Sequence, residues 1–122
     1  MEAKKENIKS LDRLKKRSDF LRARFQGQKW VAKGLILQVC ENEGKGIRFG
    51  LTATRNLSKS AVNRNRIKRR LRSVAYDVLP LVARDHTDYV LIGRPQTGTR
   101  LYSDLKKDLE YCLRKTGVLK RD

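Results

Sequence analysis

RNLSKSAVNRNRIKRRLR, residues 55–72, contains eight basic side chains and no acidic one. Like charges at this density repel one another, and the acidic neighbours that would offset them along a helix are absent. A stretch of this kind is typical of a surface that binds a polyanion. The alternative is a solvated basic face, which we favour less because solvated helix faces normally mix charges of both signs.

The same stretch predicts an amphipathic helix that continues beyond it. One of two serines, Ser58 or Ser60, can cap its N-terminus by accepting from a free backbone N–H group. Apolar residues then recur at helical spacing, namely Ile67, Leu71, Val74, Ala75, Val78 and Leu79. The polar side chains that project opposite this face are Asn65, Arg66, Arg69 and Arg72. Arg64 falls nearer the apolar border of the helical wheel, so its direction stays open.

Composition limits the classes of protein that this chain can represent. Its 122 residues predict one domain, and its formal net charge of +17 indicates nucleic acid as the first partner and an anionic membrane as the second. No apolar run approaches the length of a transmembrane helix, which argues against a membrane partner. The N-terminus lacks the apolar core of a secretory signal, so we expect a cytoplasmic protein.

The residues that usually carry metal or acid–base chemistry are few. Cys40 and Cys112 are the only cysteines, and we expect two reduced, packed thiols. A zinc site needs about four ligands, and the single histidine, His86, lies in a predicted exposed turn, so we expect no metal site. A protein nuclease needs clustered carboxylates or a histidine pair, and the acidic residues here are scattered.

The periodicity predicts a single α+β domain with a small, mostly antiparallel central sheet flanked by helices. Residues 1–17 read as a basic, extended or disordered lead-in, 18–117 as the folded domain and 118–122 as a short tail. The predicted elements are a helix over 18–27, strands over 34–40 and 47–54, the basic helix, a strand over 89–93 and a helix over 103–117. We expect the first two strands to form a hairpin through a glycine-rich turn, and the basic helix to be the crossover of a strand–helix–strand unit.

The first predicted helix interleaves aromatic and basic residues. We expect Ser18 to cap it and Gly27 to stop it. Phe20 and Phe25 flank two arginines, a pattern that offers rings for stacking bases and cations for phosphates. The alternative is that both rings anchor the helix to the sheet, which is as good an interpretation for Phe20 and the better one for Phe25.

Four segments resemble the bacterial ribonuclease P protein family. AVNRNRIKRRLR at 61–72 is similar to the family signature of a basic crossover helix. RLKKRSDF at 13–20 resembles the N-terminal segment, FGLTATR at 49–55 the strand before the signature, and DYVLIGRP at 88–95 the later strand. The matches follow the family order and span most of residues 13–115.

The resemblance implies a fold and a division of labour. It implies a central sheet with an unusual left-handed crossover at the signature, against the right-handed rule. It implies that an RNA subunit, with RNA-bound Mg²⁺, removes the 5′ leader of precursor tRNA. The protein would bind that RNA and hold the single-stranded leader in a cleft between the first helix and the sheet. It would supply no catalytic residue and no metal ligand.

By position, the resemblance also assigns residues. Those implied to contact the catalytic RNA are Arg55, Arg64, Asn65, Arg66, Lys68, Arg69 and Arg72. Those implied to line the leader cleft are Arg17, Phe20, Arg24, Gln38, Thr52 and Arg94. Arg24 stands where the family often has a second aromatic residue, one turn after Phe20. A structural RNA-binding protein of ribosomal type, with no processing role, fits the composition equally well and is the alternative.

Overall fold

The chain folds into a five-stranded sheet with two helices on one face and one helix on the other. A computed structural model describes residues 11–117. The strands are β1 (Leu11–Arg13), β2 (Gln28–Val31), β3 (Leu35–Glu41), β4 (Ile47–Thr52) and β5 (Thr87–Gly93). The helices are α1 (Arg17–Gln26), α2 (Ala61–Val82) and α3 (Tyr102–Lys115). The order along the chain confirms the predicted α+β class and adds two strands, β1 and β2.

The strand order across the sheet is β1-β4-β5-β3-β2. The predicted strand–helix–strand unit is present, because β4 and β5 are parallel neighbours joined by α2. β1 also pairs in parallel with β4, whereas β3 pairs antiparallel with both β5 and β2. The sheet is therefore mixed rather than mostly antiparallel. The handedness of the α2 crossover stays a prediction.

The predicted hairpin between β3 and β4 is wrong. β5 lies between these strands and hydrogen-bonds to both. The reason is burial: five of the seven residues of β5 are buried, so this strand is stable only at the centre of the sheet, with neighbours on both edges. The loop after β3 must then span one strand, and Glu43, Gly44 and Gly46 take positive φ angles in that loop.

The two additional strands have weak sequence signals. β1 lies in the predicted lead-in and has only three residues, but Leu11 pairs with Ile47 and Leu14 is buried immediately after the strand. β2 is an edge strand whose four residues are all exposed, so it lacks the alternation that marks a half-buried strand. Residues 1–10 of the lead-in and the tail at 118–122 lie outside the described residues.

The helix boundaries follow the predictions in part. Ser60 caps α2 by accepting from the backbone N–H of Asn63, as predicted. Gly117 ends α3 with a φ of 75°. Ser18 is not a cap, because α1 begins one residue before it, after Lys16. Helix α3 begins after Leu101, and no side chain caps either helix.

The main core lies between the sheet and helices α2 and α3. Every apolar residue predicted on the inner face of α2 is buried. These side chains meet Leu35, Leu37, Phe49 and Leu91 of the strands, together with Leu109 of α3. The burial confirms the helical spacing and fixes the basic side of α2 toward solvent.

Helix α1 covers part of the opposite face of the sheet. Its Phe20 ring lies on Gly50, where an added Cβ would approach two ring carbons to 2.5 Å. Ala23 is buried one turn later in a small cluster with Leu14 and Val90. The absence of a side chain at Gly50 therefore sets how closely α1 approaches the sheet.

A buried carboxylate also holds α1 to this face. Asp88 of β5 is fully buried and accepts two bonds of 2.8 Å from Arg48, one of 2.8 Å from Arg22 of α1 and one of 2.9 Å from Asn42. Burial alone would raise the pKa of Asp88, but the hydrogen bonds and charges of Arg48 and its neighbours outweigh it and lower the pKa. The ionised form is thus the one that the fold requires.

We expect Asp88→Asn to destabilise the fold by about 3–5 kcal/mol near pH 6, because Arg48 and Arg22 would lose their buried counter-charge. The pKa of Asp88 is lower in the folded than in the unfolded chain, so its stabilisation is present above about pH 4 and is lost as the pH falls further. The difference in unfolding free energy between the wild type and Asp88→Asn, measured with urea, should shrink between pH 6 and pH 3. Glu41→Gln, at an exposed carboxylate of β3, is the control, and a gap that does not change with pH would contradict the assignment.

Candidate nucleic-acid interface

The outer side of α2 carries the exposed part of the basic stretch. Asn65, Arg69 and Arg72 are exposed, and no acidic side chain within residues 11–117 forms an ion pair with these arginines. Their spacing of four and three residues places them along one stripe of the helix. This stripe can bind phosphates without first breaking an internal salt bridge.

Other arginines of α2 are tied to the loop between β5 and α3. Arg66 donates to the carbonyl of Gly98 at 3.1 Å, and Arg70 donates to the carbonyls of Thr97 and Arg100 at 2.8 and 2.5 Å. Arg70 thus stabilises the loop rather than facing solvent. The sequence signal for this role was the four-residue spacing from Arg66 to Arg70, which puts both on one flank of the helix.

The remaining predicted contacts surround the N-terminus of α2. Arg64 is half-buried and donates to the carbonyl of Ser58 at 2.7 Å, in agreement with its place near the apolar border. Lys68 is half-buried on the helix, and Arg55 is exposed in the preceding loop. The structure therefore places the implied RNA-binding residues on α2 and on the loop before it but leaves them unequally exposed.

The second face of the sheet has an open row of side chains beside α1. The strand register aligns Thr52, Ile92, Ile36 and Val31 across four strands. The first three are half-buried and Val31 is 46% exposed. We name this row, with the neighbouring Phe20 and Gln38, the cleft. Three of the four residues in the row are apolar, and such a surface suits bases more than phosphates.

Helix α1 supplies one wall of the cleft. Arg17, Phe20 and Arg24 are spaced by three and four residues and therefore share one side of the helix. Phe20 is half-buried, so the ring both anchors the helix on Gly50 and keeps part of its surface accessible. Phe25 is 73% exposed beside Arg24, so the anchoring interpretation is wrong for this ring.

Arg94 lies where β5 ends, and a loop holds it in place. Its guanidinium donates to the carbonyl of Ala32 at 2.6 Å, and its backbone N–H donates to the Thr97 hydroxyl at 2.8 Å. Thr97 in turn donates to the carbonyl of Gly34 at 2.6 Å. These bonds fix Arg94 between the β2–β3 turn and the end of β5, at the border of the cleft.

Burial raises the pKa of both cysteines and of two tyrosines. Both cysteines are free; burial raises the pKa of Cys40, and it raises the pKa of Cys112 to about 12. Burial also raises the pKa of Tyr89, and burial together with the bond to Asp77 raises that of Tyr102. Residues 11–117 contain no group of three or more histidine, cysteine or acidic side chains arranged to hold a metal ion.

No helix within the described range combines the length and the apolar composition needed to cross a membrane. The geometry as a whole is that of a binding surface. A cationic stripe lies on α2, an apolar cleft lies on the other face of the sheet, and the loop at 53–60 connects the end of β4 at Thr52 to the start of α2.

Comparison with known proteins agrees with this arrangement. The family model described as Ribonuclease P matches residues 8–117. The ribonuclease P protein component of Paramagnetospirillum magneticum is 44% identical over 91% of this chain and 86% of its own length. That of Ruegeria pomeroyi is 47% identical over 84% of this chain and 83% of its own.

Solved structures give the same answer. The RNase P protein of Staphylococcus aureus superposes with a TM-score of 0.73 at 25% identity and covers 88% of this chain and 97% of its own. The fold of the Thermotoga maritima RNase P protein matches with a TM-score of 0.69 at 21% identity, over 82% of this chain and 93% of its own. These relatives favour the processing subunit over the ribosomal-type alternative. The chain therefore belongs to the ribonuclease P protein family and is a protein component of that endoribonuclease.

Proposed function

We propose that this chain uses two separate surfaces, the α2 stripe for the catalytic RNA and the cleft for the 5′ leader of precursor tRNA. The observation that carries the proposal is the open row from Thr52 to Val31 beside Phe20, on the opposite face of the sheet from α2. A protein that only scaffolds RNA needs the cationic stripe but has no use for a partly exposed apolar row beside an aromatic ring.

The chemistry belongs to the RNA subunit in this proposal. Mg²⁺, implied by the family resemblance, would be RNA-bound, and residues 11–117 offer no cluster of ligands for it. The protein contributes binding energy and positioning: arginines neutralise phosphates and release counterions, and the cleft holds the leader as a single strand. We expect this activity on precursor tRNA to take place in the cytoplasm.

The first test is cleavage of a labelled precursor tRNA at low Mg²⁺. The protein alone, a bacterial ribonuclease P RNA alone and the mixture are compared. We expect 5′-leader removal to be efficient only in the mixture, because protein cations replace part of the ion screening that the RNA needs. Binding without rescue would support the scaffold alternative, and cleavage by the protein alone would overturn both hypotheses.

The second test separates arginines that bind RNA from the arginine that stabilises the fold. Arg69→Ala and Arg72→Ala should each weaken binding of the RNA subunit and lower the salt slope by about 0.7–0.9 per lost phosphate contact. Arg70→Ala should instead lower the melting temperature, because Thr97 and Arg100 lose their donor. Filter binding at several salt concentrations and thermal unfolding give the two readouts, and equal behaviour of all three variants would contradict the division.

The third test addresses the cleft. Phe20→Leu keeps an apolar anchor on Gly50 but removes the ring, so the holoenzyme should lose about 1–3 kcal/mol of precursor binding, or roughly 5- to 150-fold. Its affinity for mature tRNA should not change. Phe25→Leu removes an aromatic ring that is 73% exposed outside the cleft and is the matched control. Unchanged discrimination between precursor and mature tRNA in Phe20→Leu would exclude the ring from leader binding.

A further inference from the structure

Two aromatic rings and a lysine form a second exposed cluster at the free edge of the sheet. Trp30 lies on edge strand β2 and Tyr111 on α3, with ring centroids 6.5 Å apart and planes at 67°. The ammonium of Lys115 lies 5.8 and 5.6 Å from the two centroids. Each ring is 38% exposed. The cluster therefore combines accessible π surface with a cation.

A shallow groove of about 470 Å³ leads from this cluster toward the cleft. Tyr111 of the cluster lines this groove together with Val31, Lys33 and Arg94. Val31 is also the last residue of the cleft row, opposite Ile36. The groove and the cleft therefore meet at Val31, on the edge strand β2.

The charge of the groove favours an anion. Its one acidic side chain, Asp108, accepts two bonds from Arg100, at 2.5 and 3.0 Å, and one of 3.0 Å from the backbone N–H of Gly34. That carboxylate is thus already compensated. Lys33 and Lys115 are exposed, and Arg94 is half-buried between them and the cleft. Phosphates passing along the groove would meet uncompensated cations.

These features together match single-stranded RNA. Proteins that bind single strands combine a cationic track for the backbone with aromatic rings on which bases stack. A duplex presents no free base face to such rings, and a protein partner would not require the cationic track. The groove lies between the cluster and the cleft, so one RNA strand could contact both.

We propose that the single-stranded leader continues beyond the cleft, past Val31 and Arg94, and stacks a base on the Trp30–Tyr111 pair. This inference rests on the leader-binding role of the cleft. It adds a second stacking site outside the space between α1 and the sheet. Leaders long enough to reach it should bind more tightly than leaders that fill the cleft alone.

Trp30 is the only tryptophan of the chain, so its fluorescence reports directly on this site. We expect an oligouridylate of about 10 nucleotides to quench the emission of the full chain, because a stacked base quenches indole. Tyr111→Leu should weaken this binding about fivefold or more. Phe25→Leu removes a ring that also lies beside a basic side chain, Arg24, and should not change the binding. Inorganic polyphosphate supplies charge without bases, and quenching equal to that by RNA would overturn the stacking assignment.

The holoenzyme test separates this inference from the leader cleft itself. Precursors with leaders of about four and about twelve nucleotides are compared in the wild type, Trp30→Leu and Tyr111→Leu. Both variants should lose affinity for the long leader only. If a variant lost affinity equally for both leader lengths, the effect would be structural and the second stacking site would be rejected. If neither variant lost affinity for either precursor, the second site would also be rejected, while the result for Phe20→Leu would still support the cleft. If the protein failed to restore cleavage by the RNA subunit at low Mg²⁺, the proposed function itself would be rejected.

Discussion

The buried carboxylate of Asp88 is the interaction on which the geometry of the binding surface depends. It joins strand β5, strand β4 through Arg48 and helix α1 through Arg22. A buried charge is costly unless it is paired and fully hydrogen-bonded, and here four donor contacts meet that requirement. Because α1 is short and carries one fully buried residue, Ala23, apolar packing alone holds it weakly. The ion pair therefore helps determine where the wall of the cleft lies.

Two glycines set the spacing between layers on the two faces of the sheet. Gly50 admits the ring of Phe20 on the α1 face. Gly93 admits Ile67 of α2 on the other, where an added Cβ would lie 2.6 Å from a methyl carbon. The same strands thus bring a stacking ring and the cationic helix close to the sheet from opposite sides. The distance between the two proposed RNA surfaces is consequently one sheet thickness plus the side chains that these glycines allow.

The sequence was sufficient for the features that depend on local periodicity. The inner face of α2 and the parallel unit that it connects were predicted correctly, and Ser60 is one of the two serines predicted as its cap. The hairpin failed because strand order depends on which strand must be buried on both edges, a non-local property of β5. β2 was missed because an exposed edge strand needs no apolar alternation. The separate role of Arg70 required the fold, since its acceptors lie about 30 residues away.

Internal pairing also determines how much of the net charge is available to RNA. Asp88 is paired with Arg48 and Arg22, and Asp108 with Arg100. An ion pair removes one charge of each sign, so it leaves the net charge of +17 unchanged and concentrates it on side chains without acidic partners. Arg69 and Arg72 on α2 belong to that group, as do Lys33 of the groove and Lys115 of the Trp30–Tyr111 cluster. Part of the excess charge is therefore located where the groove and the helix stripe would meet phosphates, and the energy of RNA binding should come largely from counterion release there.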